Sequence, residues 1–277
     1  MPVTRRKQNL IEKIQGTSYA KNLDLHLPDA PCEANKNLTD FSYLIHGEPG
    51  VGKTTFGMQF PKALIFQFEP GAKSHTAYKV NITKWEEFVG YIDLLDVDDS
   101  GKFETVVIDT GAMAYQMCWE YSCAQMGITD PNDKGWAAGW KFIEREFKNA
   151  HYKILRKFGL VVIAHSEIKE LKQKVGNQLM ITGEKLKIQI GNQGIRLYNA
   201  IIDVVGYYQK RKDGRYLIIQ DSDVADGKQR IKNHFLSVNG EALTDIYMGD
   251  SEEAAFVNFQ KAFNNQIDPS KKIRRKS

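Results

Sequence analysis

Two spacings of apolar residues alternate along this chain. Phe41–Ile45, Ala63–Phe68, Phe103–Ile108 and Leu160–Ala164 are short, mainly apolar runs, and runs of that length predict strands, the last of them buried on both faces. Between them the spacing widens to three or four. Trp85, Phe88, Val89, Ile92 and Leu95 mark one face of a helix, with Thr83 and Glu86 spaced as its capping box. A second helix is predicted from Gly111 to about Met126. A longer one carries Trp136, Trp140, Ile143, Phe147, Ala150, Ile154 and Phe158 and is expected to end at Gly159. Strands alternating with helices predict an α/β fold, a mostly parallel sheet covered by helices on both faces with right-handed connections.

The regularity fails from Glu167 to Gly194, where Lys169, Lys172, Lys174, Lys185 and Lys187 are interspersed with Gly176, Gly183, Gly191 and Gly194. Such a stretch is too polar for core and predicts a mobile basic insertion, or a weak hairpin built on Leu179–Ile181 and Leu186–Ile190. Beyond it, Ile195–Ile202 is expected to be helical. Asp203–Gln209 and Arg215–Gln220 predict a C-terminal hairpin across Lys212-Asp213-Gly214, and Glu252–Phe263 a terminal helix. The expected division is a basic N-terminal extension at 1–40, a core at 41–250, and a C-terminal helix with a basic tail at 251–277.

The sharpest chemical signal is GEPGVGKTT, Gly47 to Thr55. An apolar strand enters a loop whose Gly47, Gly50 and Gly52 let the backbone curl with its N–H groups inward, and Lys53 and Thr54 open a helix. G-x-x-x-x-G-K-T in that context is a phosphate loop. Inward amides and the positive end of a helix bind a polyphosphate, Lys53 reaches the β- and γ-oxygens, and the Thr54 hydroxyl ligates magnesium. Gly47, Glu48, Pro49, Gly50, Val51, Gly52, Lys53, Thr54 and Thr55 are therefore the expected contacts of a nucleoside triphosphate with Mg2+. No N-K-x-D base-reading element follows the third strand, which favours ATP over a GTP switch.

Ligands of parallel α/β sheets sit at the carboxyl ends of the strands, and Glu69, Asp109 and His165 close the later apolar runs. Asp109, after TVVI, stands where a P-loop enzyme places the carboxylate that holds magnesium; the alternative is a cap on the helix from Gly111. Glu69 is a candidate to orient or deprotonate the attacking water, or else a turn residue beside Pro70. His165 is a candidate γ-phosphate donor that reports nucleotide state to the next loop, or a histidine satisfied by backbone at a strand end.

The lysines after His165 are candidates for a nucleic-acid backbone, or merely solvated. Trp136 and Trp140 are candidate stacking platforms, although their stripe with Ile143 and Phe147 favours core packing. Lys210, Arg211, Lys212 and Arg215 surround the hairpin turn, where a cation can reach a neighbouring subunit's γ-phosphate.

Composition narrows the class without naming the chemistry. At 277 residues, 42 % hydrophobic and 26 % charged, the chain suits one large α/β domain with appendages. The formal charge of +4 resides wholly in Asp268–Ser277, with Lys271, Lys272, Arg274, Arg275 and Lys276, and Arg5, Arg6 and Lys7 make the other end basic. Basic arms suit contact with phosphates, or serve only as solubilising ends. Cys32, Cys118 and Cys123 have no metal-ligand spacing and read as reduced thiols of a cytosol-like compartment. No run reaches membrane-spanning length, so a soluble, cytoplasmic protein without a membrane partner is expected.

A phosphate loop, a glutamate closing the second strand, an aspartate closing the third and a polar residue before a basic, glycine-rich loop together resemble the RecA-like ATPase core. More closely, GEPGVGKTT, LIFQFEPG, VVIDT and VVIAHSE look like the small phage nucleotide-binding ATPases grouped with the Sak-type single-strand annealing proteins, over roughly Phe41 to Asp221. The resemblance implies a RecA-like P-loop NTPase and a magnesium-dependent, DNA-stimulated ATPase. It further implies that the protein binds single-stranded DNA and assists annealing or pairing in phage-type recombination. Lys53 and Thr54 then contact phosphate and magnesium, Asp109 is the second metal carboxylate, Glu69 the hydrolytic base and His165 the γ-phosphate sensor. DNA-binding loops would lie around Gly127–Gly135 and Lys169–Gly191. A homo-oligomer, ring or filament, a single-strand-binding protein as partner, and a bacterial host cytoplasm are implied as well. Bacterial RecA has glutamine where this chain has His165, and no counterpart of its flanking domains is visible. The rival readings are a nucleotide or small-molecule kinase and a helicase- or packaging-type motor.

Overall fold

The computed structural model describes residues 28–69, 75–175 and 178–269, the side chains of 136 and 172–179 excepted. The chain divides after Lys36 into two compact units. In the first, residues 28–36 have no regular secondary structure, and Lys36 pairs with Glu33. The basic runs at Arg5–Lys7 and Lys271–Lys276 lie outside the described residues.

In the second unit, β1 (Ser42–Gly47) leads through the glycine loop into α1 (Lys53–Met58). β2 (Ala63–Gln67), β3 (Tyr78–Asn81), α2 (Trp85–Val97), β4 (Thr105–Asp109), α3 (Gly111–Met126) and α4 (Ala138–Leu155) follow. Then come β5 (Gly159–Val175), β6 (Gln178–Ile188), α5 (Asn192–Ile201), β7 (Val204–Arg211) and β8 (Gly214–Ile218). The short β9 (Lys228–Gln229), β10 (Asp245–Gly249) and α6 (Glu252–Phe263) complete the unit. The sheet order is β10-β8-β7-β1-β5-β4-β2-β3. From β7 to β3 every neighbouring pair is parallel, and β8 and β10 add an antiparallel margin. This is an α/β fold, a mostly parallel sheet with helices packed on both faces.

Alternation along the strands sorts their side chains to two cores, because successive residues point to opposite faces. Val106, Ile108, Leu160, Val162 and Ala164 face α2, α3, α4 and α5, whose Phe88, Ala114, Phe147 and Leu197 meet them. Val107, Val161, Ile163 and Tyr43 face α1 and α6. Phe259 of α6 is fully buried, with ring centroids 5.6 Å from Tyr43 and 5.2 Å from Phe56. The terminal helix thus forms part of the core beneath the glycine loop.

Local differences from expectation have local causes. The carboxylate that caps α2 is Glu87 and not Glu86: its Oε2 accepts from Thr83 N at 2.9 Å, Thr83 Oγ1 at 2.9 Å and Lys84 N at 3.2 Å. α4 stops at Leu155, short of Gly159, which instead opens β5 where a Cβ would lie 2.8 Å from Thr39 O. β5 does not end at His165. It continues to Val175 and pairs with β6 as a long antiparallel hairpin, the more ordered of the two forms expected there.

Candidate active site

The glycine loop takes its shape from close approach and from handedness. A Cβ on Gly47 would lie 2.2 Å from Tyr208 O of β7, so only glycine lets β1 reach the rim there. Gly50 and Gly52 have φ of +78° and +100°, the left-handed region that glycine enters without strain. Lys53, at 5 % exposure, points back into the loop and donates to Gly47 O at 2.9 Å and Glu48 O at 2.7 Å. Burial pulls its pKa down to about 8, against the charges of Asp109, Glu48 and Glu69. An ammonium held by two carbonyls can exchange them for phosphate oxygens with its hydrogen bonds conserved.

Asp109 and Glu69 are brought together by strand register. Gln67 of β2 stands opposite Asp109 of β4, and Asp109 O accepts from Phe68 N at 2.7 Å and Glu69 N at 3.4 Å. The Asp109 side chain, 5 % exposed, accepts from Thr54 Oγ1 across 2.9 Å. Burial holds its carboxyl above the usual range; the Thr54 hydrogen bond opposes that shift and the charge of Glu69 reinforces it. The Asp109–Thr110 peptide is cis. Glu69 remains half-exposed. Its Oε1 accepts from Thr110 Oγ1 at 2.7 Å and its Oε2 lies 3.6 Å from His165 Nε2. Gly47 stands opposite His165 in the β1–β5 register, so the histidine lies between the loop and the two acids. Its Nδ1 is buried without a hydrogen-bond partner among the described residues.

Lys53, Thr54, Asp109, Glu69 and His165 therefore share one edge of the sheet, and this donor set fits a magnesium nucleotide. Among the described residues no group of three or more His, Cys, Asp or Glu side chains could hold a metal by itself. Thr54 and Asp109 supply two oxygens; magnesium characteristically takes its remaining ligands from phosphate and water.

The other candidates fare unevenly. Arg215, one of the candidates for reaching a neighbouring subunit, is 7 % exposed and donates to Asp250 O at 2.8 Å and Glu252 Oε1 at 3.3 Å, so in this structure its donors serve its own chain. Arg211 lies over the Tyr216 ring at 4.4 Å, and Lys210, Arg211 and Lys212 are exposed. Lys185 is also a correction: its side chain, 12 % exposed, is paired with Asp221 at 2.8 Å and Asp226 at 3.2 Å, which leaves no charge over for DNA. Lys169 pairs with Glu167 at 2.8 Å, and Lys187 is half-buried. The side chains of Lys172, Lys174 and Trp136 lie outside the described residues. Trp140 is half-buried on the core, and its Nε1 donates to Asn132 Oδ1 at 2.9 Å.

Sequence reasoning passed over Thr110, which fixes Glu69, and His46, which precedes Gly47. His46 is fully buried, with Nε2 2.8 Å from Asp226 O and Nδ1 2.9 Å from Ser166 Oγ. A carbonyl can only accept, so Nε2–H donates to it and Nδ1 accepts from Ser166. Burial pushes the pKa down to about 4, so the ring is neutral near pH 7. Its signal was available: a polar residue inside an apolar run, against the glycine loop.

Residues 39–231 match the sequence model described as an AAA domain, which takes in well over half of the chain. The chain belongs to the AAA domain family. The matched span contains Lys53, Glu69, Asp109 and His165 and ends after β9. Among solved structures, the RadB recombinase is similar at 14 % identity, covering 78 % of this AAA domain protein and 90 % of that chain, with a TM-score of 0.41. Among curated protein sequences no match is found. Among the described residues no helix is long and apolar enough to cross a membrane.

Proposed function

We propose that this AAA domain protein is a magnesium-dependent ATPase that binds single-stranded DNA and assists annealing or pairing of strands in recombination of the phage type. The observation that carries the ATPase half is the closed set around the loop: Lys53 on loop carbonyls, Thr54 on Asp109 at 2.9 Å, and Glu69 oriented by Thr110 at 2.7 Å. Lys53 leaves Gly47 O and Glu48 O to meet the β- and γ-oxygens. Thr54 and Asp109 would hold a magnesium ion, which would supply neutralisation of negative charge. Glu69 takes a proton from the attacking water, its second oxygen kept in place by Thr110.

The DNA half rests on continuity and on the resemblance in sequence. His165 lies 3.6 Å from Glu69 and on the same strand as the hairpin that bears Lys169. A change at the γ-phosphate position passes through His165 into that hairpin without crossing a loop.

The deciding experiment is ATP hydrolysis with and without single-stranded DNA, on the parent and on Lys53→Ala. Turnover that rises with DNA and vanishes in the variant is expected. Phosphorylated nucleoside in place of free phosphate would instead favour a kinase, a reading weakened by the absence of arginine between Glu167 and Gly194.

A further inference from the structure

Two cavities lie side by side along the base of the hairpin, away from the glycine loop. The first, of about 740 Å³, is lined by Tyr115, Trp119 and Trp140 and by the amides of Gln189, Asn192 and Gln193. The second, of about 780 Å³, is lined by Lys187, Lys228 and Arg230, and the two share Lys169, Ile190 and Asn192. One chamber is aromatic and amide-bearing and its neighbour is cationic. Both are open depressions, which suits a chain passing over them better than an enclosed small ligand.

We infer that this pair of chambers receives one nucleotide unit of a bound single strand, the base in the aromatic chamber and the flanking phosphates in the cationic one. The inference rests on the DNA-binding reading above and gives it a site. Trp119 and Trp140 are both half-buried with one side packed on the core, which holds their rings while leaving area toward the cavity. Rings already fixed stack on a base at small entropic cost, and stacking tolerates any base. Neutral amides offer paired donors and acceptors to a base edge.

The cationic chamber keeps a positive excess over its own acids. Asp221 and Asp226 line it and share one lysine, Lys185, at 2.8 and 3.2 Å; the negative charge left over is outweighed by Lys187, Lys228 and Arg230. Lys228 and Arg230 are oriented by carbonyls of the α5 C-terminal turn: Lys228 Nζ donates to Asn199 O at 2.7 Å and Ile202 O at 2.6 Å, and Arg230 Nη2 to Asn199 O at 2.8 Å. Lys169, at the shared wall, carries the Glu167 pair.

The site is joined to the nucleotide edge through main chain. Gln189 N donates to His165 O at 2.8 Å, and Ala112, three residues beyond Asp109, lines the aromatic chamber. A shift of His165 therefore moves the chamber wall directly.

The test is anisotropy titration of the full chain with labelled oligothymidylate of about 20 nucleotides, beside an equally long oligomer of abasic units. The parent should bind the abasic oligomer about tenfold more weakly. Trp119→Ala should lose about tenfold for thymidylate and little for the abasic strand, Trp119→Phe should recover most of that loss, and Lys187→Glu should weaken both strands. ATP turnover without DNA should stay near the parent's in all three variants. Equal parental affinity for the two oligomers, a comparison that needs no variant, would overturn the base chamber while leaving the DNA reading intact. Binding of neither oligomer by a parent that hydrolyses ATP would sink the DNA reading and this site with it.

Discussion

Thr54 Oγ1 donates to Asp109 Oδ2 across 2.9 Å, joining the first turn of α1 to the end of β4 although β5 lies between β1 and β4 in the sheet. That bond satisfies a buried carboxylate whose charge the fold disfavours, since burial raises its pKa. A group with a raised folded-state pKa stabilises the fold below its unfolded value and loses that contribution as pH rises through the folded one. At neutral pH, Asp109 is thus a cost to the nucleotide-free protein. Asp109→Asn should raise the thermal midpoint measured without nucleotide, while magnesium-dependent ATP turnover falls by at least about a hundredfold. A lower midpoint would contradict the assignment of burial as the dominant influence.

Lys53 makes the opposite pH prediction. Its folded pKa, about 8, lies below the ordinary lysine value of about 10.4, so between those limits the unfolded chain holds more protons. The contribution of Lys53 to stability should therefore rise with pH across that window. Comparing thermal midpoints of the parent and Lys53→Met at several pH values isolates it: the difference between them should shrink as pH rises from about 8 toward 10. Turnover by Lys53→Met should be lost throughout.

Glu69→Gln keeps the shape and the acceptor for Thr110 Oγ1 but removes the base. Turnover should fall about a hundredfold or more with nucleotide affinity within severalfold of the parent. Rapid-quench assays and nucleotide titration separate the two. Turnover at the parental rate would place the base elsewhere.

Replacement of Arg215 by alanine strips donors from Asp250 O and Glu252 and opens space beside α6. A loss of about 2–3 kcal/mol in denaturant unfolding is expected, as for a buried charged donor. Below its unfolding transition Arg215→Ala should keep ATP turnover near the parent's, because Arg215 serves its own chain. Turnover lost in the folded variant and restored by mixing with Lys53→Ala subunits would mean that the arginine reaches across an interface.

The fold was legible where local signals are dense. The glycine loop follows from its motif, and the bounds of α3 from Gly111 and of α6 from Glu252 agree with the sequence; the structure adds the cap of α6, Ser251 Oγ accepting from Ala254 N at 3.3 Å. β3 and β10 escaped notice because each is short and marginal in the sheet, with Tyr78 56 % exposed, so neither carries the buried run that marks a central strand. Beyond His165, β5 is held by its ladder with β6 and not by burial, so Ile168 stands 64 % exposed and the apolar pattern lapses while the strand persists. Arg215 misled for a different reason. Its neighbours Lys210 to Lys212 are exposed at the hairpin end, whereas its partners Asp250 and Glu252 come from distant sequence. Of the rim residues read as strand ends, only Asp109 closes its strand; Glu69 stands two residues past β2 and His165 lies inside β5, while Thr110, His46 and Gln189 act through bonds that only the assembled sheet creates.

β5 crosses the rim of the sheet without a break. From His165 to Val175 it extends ten residues, about 33 Å at the usual rise per residue. A tilt of about 10° where Glu69 faces His165 would therefore sweep the far end through about 6 Å. The bulge between Leu171 and Lys172 sits about two-thirds of the way out, so the inner part of the hairpin would carry such a tilt most directly.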